Sequence, residues 1–577
     1  MGLVSAIQSG TGQRALKAAS FLIYLTAIVL VLPGFISWVH RLIFIGYGLF
    51  ILWVIRDKSA NNKSGDADPE IIPGKNFWTA LLIFSLLYLF LGRLYMFIRY
   101  GASPLGYDTG FYWQYFRLII INGNIGTAVG SHLTYSSWFP LGFLGLPALT
   151  VIHLLHVFHQ LLTAGALYFL LRSLPLRKYS FPISVLGVFL FALSINQFMA
   201  FWWMFYKQLL AIPFLLLAMG LFFRRSIIAI PVAGLAAAIH LSSAIPLGLA
   251  LIIFITIQLL ICVAKRHLPE KEFIYLILAG LLGSILFIAL KGTADIHYYL
   301  TLFLKYKGLA TNARSWEIEQ IRGLFIPFTT FRLNALFYLP FALIGILQLR
   351  RFIETRLTER TLLIPITFAA SLILVSFPFI HQTRSLIFFD LLLIILAAAP
   401  IFHFIKNFRR ERHGTVLLGL LCFGFVAFTS RVIWNHEPQL YAAEAAELRV
   451  LERQGTAEDL RKIDDYVMVV SSLYTPWAYA FTGFGPTIVP GWLTWDKWDL
   501  KMWEEFWFKA NNDRRLQLLQ MYGDHVIYIF IGEHQLKQVN TPRLKEFIET
   551  DPHFTRFSPH IWKYTPHLQD TDSPTNL

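Results

Sequence analysis

The chain has 577 residues, of which 56% are apolar, 14% charged and 16% aromatic, and its mean hydropathy of +0.56 describes a polypeptide whose natural solvent is lipid. Soluble globular, disordered and fibrous classes are excluded. The formal net charge of +15 sits in short clusters between apolar runs, where Lys and Arg face anionic headgroups, so nucleic acid is not an expected partner.

Apolar runs long enough to cross a bilayer begin near residues 20, 42, 77, 143, 181, 208, 226, 246, 273, 335, 361, 385 and 415, which predicts a polytopic α-helical membrane protein with about thirteen transmembrane helices. Arg14 and Lys17 precede the first run, which is long and lacks a small-residue cleavage pattern, so it reads as a retained span. The stretch 226–264 is divided between His240 and Pro246 (HLSSAIP), because one helix of that length overshoots the bilayer. With these spans every basic cluster falls on one side, from Arg56/Lys58/Lys63 through Arg172/Arg177/Lys178 to Lys406/Arg409/Arg410/Arg412. The positive-inside rule makes that side cytoplasmic. The external side then receives loops 98–142 and 291–334, the turns at 196–207, 240–246 and 378–384, and everything after Trp434. The expectation is a multi-pass plasma-membrane protein with a cytoplasmic N-terminus, a transmembrane domain over 1–434 and an external C-terminal α/β domain over 435–577. Cys262 and Cys422 both lie inside apolar runs and offer neither a disulfide framework nor a thiolate metal site.

The tail alternates strand and helix signals: a charged helix (EAAELRVLERQ), an apolar strand (DYVMVVSS), an amphipathic helix over about 497–520 and a second strand (HVIYIFIG). Its end, HFTRFSPHIWKY, reads as a hairpin turning at Ser558 and Pro559.

Asp108 stands in GYDTGFY, a carboxylate between a glycine and interfacial aromatics at the start of the first external loop. The plain reading is the N-terminus of a helix running through Phe111 to Ile121; the functional one is a general base or metal ligand, and the two are compatible. Lys207, His240, His381 and Arg384 end spans on the outer side, where the positive-inside rule gives no reason for cations. Each alone is explained by snorkelling or, for His240 with Ser242 and Ser243, by a polar helix end. Together they fit the oxygens of a lipid phosphate. Loop 291–334 carries Asp295, His297, Glu317 and Glu319 among aromatics, as a solvated connection or as a lid with acceptor contacts. Asp390 lies inside a span, where a carboxylate needs a partner; Arg384 or a polar helix face are the candidates. Walker-type, GxGxxG, GxSxG and HExxH signatures are absent.

This layout resembles the GT-C superfamily of integral membrane glycosyltransferases, nearest to the oligosaccharyltransferase catalytic subunit and to protein mannosyltransferase and aminoarabinose transferase types. Asp108 in GYDTGFY matches the family's catalytic Asp of the first loop, and Arg384 in HQTRSLIFFDLLL looks like its lipid-phosphate Arg. Lys207 in FYKQLLAIP and His240 in AAAIHLSSAIP resemble the polar residues that end its middle spans. The DxD or acidic pair and the WWDYG motif are missing, so asparagine glycosylation is not implied and a divalent cation, Mg or Mn, stays open as cofactor. The resemblance implies inverting transfer of a sugar from a lipid-linked donor, a polyprenyl phosphate or pyrophosphate, to a glycan, lipid or protein acceptor on the external face. A secondary transporter or lipid flippase, and a polysaccharide polymerase or ligase, are the competing readings; a transporter is expected to show broken helices near the midplane and repeated halves, neither of which the sequence signals.

Overall fold

The computed structural model describes residues 74–101, 106, 108–122, 145–174, 176, 179–265, 271–291, 337–347, 362–376, 382–408, 412–451, 466–471, 474–482, 487–489, 497–537 and 541–566. The spans expected near 20 and 42 and the loop 292–334 lie outside them.

The first described helix, α1 (Lys75–Tyr100), stops at Gly101, whose φ of 60° lets its N–H reach the Phe97 carbonyl. Then come α2 (Thr109–Asn122) and α3 (Ala148–Ser173). The run expected to span from 181 is broken: α4 (Ser180–Leu193) and α5 (Ile195–Trp202) meet at 51°. This corrects two expectations, the absence of a broken helix and a turn over 196–207, because residues 195–202 are helical. After the bend follow α6 (Tyr206–Phe223), α7 (Ala229–Ile239), α8 (Leu241–Lys265) and α9 (Lys271–Lys291). The split of 226–264 falls at His240, which is extended (φ −148°, ψ 95°), while Pro246 lies inside α8. At 11 residues α7 is a short apolar helix, below the about 20 residues of a straight span. The bundle ends with α10 (Leu339–Leu347), α11 (Leu363–Ser376), α12 (Gln382–Phe408) and α13 (Arg412–Asn435).

Among the described residues five helices are long and apolar enough to cross a membrane, or six if the bent pair is one span. The apolar window of α12 is 89% buried and that of α1 only 22%, so α12 is the axis of the bundle and α1 presents Ile83, Leu87 and Ile98 to lipid.

The break after α4 has a local and a distant cause. Ser194 Oγ accepts from the Gln197 N–H at 3.2 Å, capping α5, and donates to Asp390 Oδ2 of α12 at 2.8 Å. Asn196 Nδ2 and Gln197 Nε2 donate to the same carboxylate, both at 2.9 Å, and the Tyr338 hydroxyl joins them. An ionisable group with no water access is tolerated only when its lone pairs are filled, and here the polar start of α5 fills them.

The tail forms α14 (Ala442–Val450), β1 (Tyr466–Val470), α15 (Thr475–Thr482), β2 (Thr487–Val489), α16 (Leu500–Glu504), a one-turn π segment (Glu505–Lys509), α17 (Asn512–Gln520), β3 (Val526–Phe530), α18 (Glu533–Leu536), α19 (Thr541–Thr550), β4 (Phe554–Ser558) and β5 (Ile561–Tyr564). The five strands lie in the order β2-β1-β3-β5-β4. β1 runs parallel to β2 and β3, while β3–β5 and β5–β4 are antiparallel, the last pair being the hairpin expected at Ser558 and Pro559. Every residue of β1 is buried, as a parallel strand covered on both faces requires. The helix expected over 497–520 is instead three pieces, with extended backbone at Ala510 and Asn511 between the last two.

Candidate functional site: the junction at Asp108

Asp108 immediately precedes α2; its carbonyl accepts the Tyr112 N–H at 3.2 Å, and the residue is only 8% exposed. Two glycines seat this segment. Gly106 adopts φ +66°, and a side chain there would run into the backbone of Trp202 and Trp203 at the end of α5. Gly110 lies on the backbone of Pro476 and Trp477 in α15, where even a methyl group meets the Pro476 carbonyl. Trp477 Nε1 also donates to the Gly106 carbonyl at 3.2 Å. Asp108 is therefore clamped between the turn joining α5 to α6 and a helix of the tail.

Aromatic rings complete the clamp. Trp113 meets Phe481 edge-on at 4.9 Å and lies 6.4 Å from Trp477, with the Arg449 guanidinium 5.9 Å above Trp113. On the bundle side Tyr112 contacts Tyr206 at 5.3 Å. Lys207 follows Tyr206 in the first turn of α6 and is half-buried.

Behind Tyr206 lies a polar column inside the bundle. His156 stacks on Tyr206 at 5.6 Å and on Phe201 at 4.8 Å, and its Nε2 donates to the Phe201 carbonyl at 3.0 Å. His159 meets Tyr206 edge-on at 4.6 Å, and His153 stacks on Phe97 at 4.4 Å. Below them the fully buried Arg93 of α1 reaches Gln160 Oε1 through Nε and Nη2, both at 3.4 Å, and lies 5.0 Å over Phe198. Arg93 Nη1 and one ring nitrogen of each of these three histidines have no hydrogen-bond partner among the described residues. So dense a set of polar groups with spare hydrogen-bonding capacity, in an apolar bundle and directly under the Asp108 junction, is a functional constellation by default.

No protein-family model and no curated protein matches the sequence. Among solved structures, the apo oligosaccharyltransferase of Archaeoglobus fulgidus superposes with a TM-score of 0.55 at 11% identity, over 79% of this chain and 70% of that one. The fold is GT-C-like. The apo ArnT of Cupriavidus metallidurans is similar over 85% of this chain and 98% of its own, at 11% identity and a TM-score of 0.49. The same protein bound to undecaprenyl phosphate gives 0.47 at 10% identity, over 86% and 99% of the two chains.

Within this GT-C-like frame, Asp108 sits at the junction and Lys207 follows the Tyr206 that packs on Tyr112. For His240 the described bonds are local: Nδ1 lies 2.6 Å from Ser243 Oγ and Nε2 lies 3.2 Å from Ser242 Oγ, a polar knot at the break between α7 and α8. Arg384 falls in the first turn of α12, with its side chain outside the described residues, as are His381, Asp295, His297, Glu317 and Glu319. Among the described residues no group of three or more His, Cys, Asp or Glu is arranged to hold a metal ion, and no step is assigned to one. Asp390 is paired with the polar start of α5, the polar helix face that is one of its two candidate partners. The reading of the sequence missed Arg93 and the three histidines. A lone Arg inside LFLGRLYMF, and His at intervals of three along HLLHVFH, are the signals that find them.

A second polar cluster holds the tail together. Glu447 of α14 accepts from Ser558 Oγ at 2.6 Å and from the His560 backbone at 2.8 Å, while His560 Nδ1 and Nε2 donate to Glu447 at 2.7 Å and Glu533 at 3.1 Å. Burial lowers the His560 pKa, but the two carboxylates outweigh it and hold the imidazole above its usual value. Glu444 is raised by burial, against hydrogen bonds from the Tyr441 and Glu533 backbone N–H groups.

Proposed function

We propose that this chain transfers a sugar from a polyprenyl-phosphate-linked donor to an acceptor at the external membrane face, with Asp108 at the reacting centre. The observation that carries the reading is the placement of Asp108, a nearly buried carboxylate clamped at the seam between a GT-C-like bundle and a tail domain, with Lys207 one residue beyond the Tyr206 that packs on Tyr112. A seam of this kind suits a reaction that joins a membrane-held donor to a water-borne acceptor. In this reading the chain has about thirteen spans, divides near residue 434, and carries its C-terminal domain outside.

The chemistry asked of the site is a displacement. An acceptor hydroxyl attacks the anomeric carbon from the face opposite the phosphate, and the bond from that carbon to the phosphate oxygen breaks with both electrons going to the phosphate. The acceptor's proton passes to the Asp108 carboxylate. Charge growing on the leaving phosphate is met by Lys207 and, in this reading, by His381 and Arg384, which supply more stabilisation in the transition state than in the ground state. The histidine column backs the ring of Tyr206 and so positions the start of α6.

A lipid flippase is the second reading, because the bent span and its buried carboxylate are features of transporters. Against it, four neutral donors saturate Asp390, which makes it a pin for the bend rather than a passing ion's ligand.

The test is Asp108→Asn in purified protein supplied with a polyprenyl-phosphate sugar. Asn keeps the size and capping ability of Asp, so thermal stability is expected to stay, while transfer falls by about two to four orders of magnitude. Near-normal transfer by this variant removes Asp108 from the chemistry. Translocation of the intact donor across liposomes without cleavage favours the flippase.

A further inference from the structure

The tail carries a second cleft, remote from the junction. It has a volume of about 500 Å³ and lies between the end of the π segment, the start of α17 and one face of α19, within the size range of small-molecule sites, about 300–1,000 Å³. Two hydrophobic clusters fix its side of the sheet. Met468 and Val470 pack with Tyr112 and Tyr206 toward the bundle, whereas Val467 and Val469 pack with Phe506 and Phe547 beneath the cleft. Because neighbouring strand residues point to opposite faces, the cleft opens away from the membrane-side core.

Its lining is polar where a helix face against a domain should be apolar. Arg543, Glu546, Phe547 and Thr550 of α19 recur at helical spacing along the cleft. Arg543 has no ion pair or hydrogen bond among the described residues. Opposite stands Arg515, only 6% exposed. Its Nε donates to the Phe506 carbonyl at 2.9 Å and its Nη1 to Asn512 Oδ1 at 3.2 Å, which fixes the guanidinium plane and leaves Nη2 for the cleft. Of the nearby acids, Glu504 is held by Lys509 and Glu505 by Arg514 at 3.2 Å, and Glu546, which lines the cleft itself, forms no ion pair with either arginine among the described residues, so the two guanidinium groups outnumber the one free carboxylate of the lining. The wall itself is built by the π segment, whose wider turn sets Phe508 and Lys509 at the rim, and such single turns recur at functional sites.

From this arrangement we infer that the cleft binds an anionic saccharide, a sugar chain bearing carboxylate or phosphate groups. Two guanidinium groups supply forks for either oxygen acid. Asn512, Glu546 and Thr550 supply donors and acceptors for hydroxyl groups, and the polar lining excludes an acyl chain. The choice of a saccharide over other polyhydroxylated anions rests on the glycosyltransferase reading; the site would hold a distal part of the acceptor while its end reaches the junction.

The experiment is calorimetric titration of the full-length protein in detergent, at about 150 mM salt to screen bulk charge, with trigalacturonate, glucose 6-phosphate and maltotriose. Trigalacturonate or glucose 6-phosphate is expected to bind saturably at one site, and whichever binds tighter names the charged group; maltotriose is expected at least about tenfold weaker. Arg543→Glu is expected to weaken the anion about tenfold or more, whereas Lys545→Glu, the same charge change on a residue outside the cleft, leaves affinity unchanged. Thermal melts of both variants establish that each is folded. Absence of saturable binding for both anions, equal binding of maltotriose, or equal loss from both reversals overturns the proposal. Transfer measured in parallel separates the two readings: binding without any transfer leaves the cleft standing and removes the transferase, and transfer without binding does the reverse.

Discussion

Replacing Asp390 with Ala tests whether one carboxylate sets the bend that shapes the site. The substitution strands four donors, from Ser194, Asn196, Gln197 and Tyr338, in a region with no water access. At about 0.6 kcal/mol for a typical hydrogen bond between membrane helices, four bonds sum to roughly 2.4 kcal/mol. Breaking a buried charged cluster by removing one partner sets a higher figure, about 3–5 kcal/mol. The structure favours the lower end. Gln197 Nε2 keeps the Ile387 carbonyl at 2.9 Å, and Ser194 Oγ still accepts from the Gln197 N–H, so two of the four groups retain a bond. The expected loss is about 2–3 kcal/mol, read by SDS titration with intrinsic tryptophan fluorescence, and about half of that for Asp390→Asn, which keeps one carbonyl acceptor. Because α5 ends at the turn that seats Gly106 and Tyr206, sugar transfer should fall along with stability. A stability change below about 0.5 kcal/mol in Asp390→Ala, or full transfer by an otherwise destabilised variant, refutes the reasoning.

His560→Gln probes the cluster of the tail. Its folded pKa is raised, so the contribution of the imidazolium is complete below the unfolded value of about 6.5 and is lost as pH rises through the raised folded value. The difference in melting temperature between the native protein and His560→Gln should be largest below the unfolded value and shrink as pH rises through the raised folded value; a difference independent of pH rejects the ion-pair account. Gly110→Val pushes a branched side chain against the Pro476 backbone and should part α2 from α15, exposing Trp477 to quenchers and abolishing transfer while β1 to β5 stay folded. Unchanged Trp477 quenching with full activity would mean that the seam is looser than its geometry.

Hydropathy marked the long described helices because the bilayer imposes a length and an apolar surface on each helix separately. The helix after Asp108, the break at His240 and the turn at Ser558 were legible for the same reason: each is decided by a few neighbouring residues. The bend at Ser194 was not, since its partner Asp390 lies almost two hundred residues away and the intervening run is uniformly apolar. Arg93 hid in the same way; its neighbours Gln160 and Phe198 come from other helices, and only folding shows that it points inward. The helix expected over 497–520 failed on a local device, the π turn, which periodicity cannot distinguish from a continuous helix. For the junction, Asp108 was legible from its odd surroundings, whereas Gly110 acquires meaning only once Pro476 is against it.

The core beneath the seam is shared: Tyr112, Trp113 and Met204 of the bundle pack in one cluster with Trp477, Phe530 and Ile561 of the tail. The last of these belongs to β5, more than 450 residues beyond Asp108 in the sequence. During biogenesis the segment bearing Asp108 thus waits for a counterpart more than 350 residues further along the chain, and β5 must pair with β3 before α15 has a complete sheet behind it. An interrupted chain can insert its helices and still lack the assembled junction around Asp108.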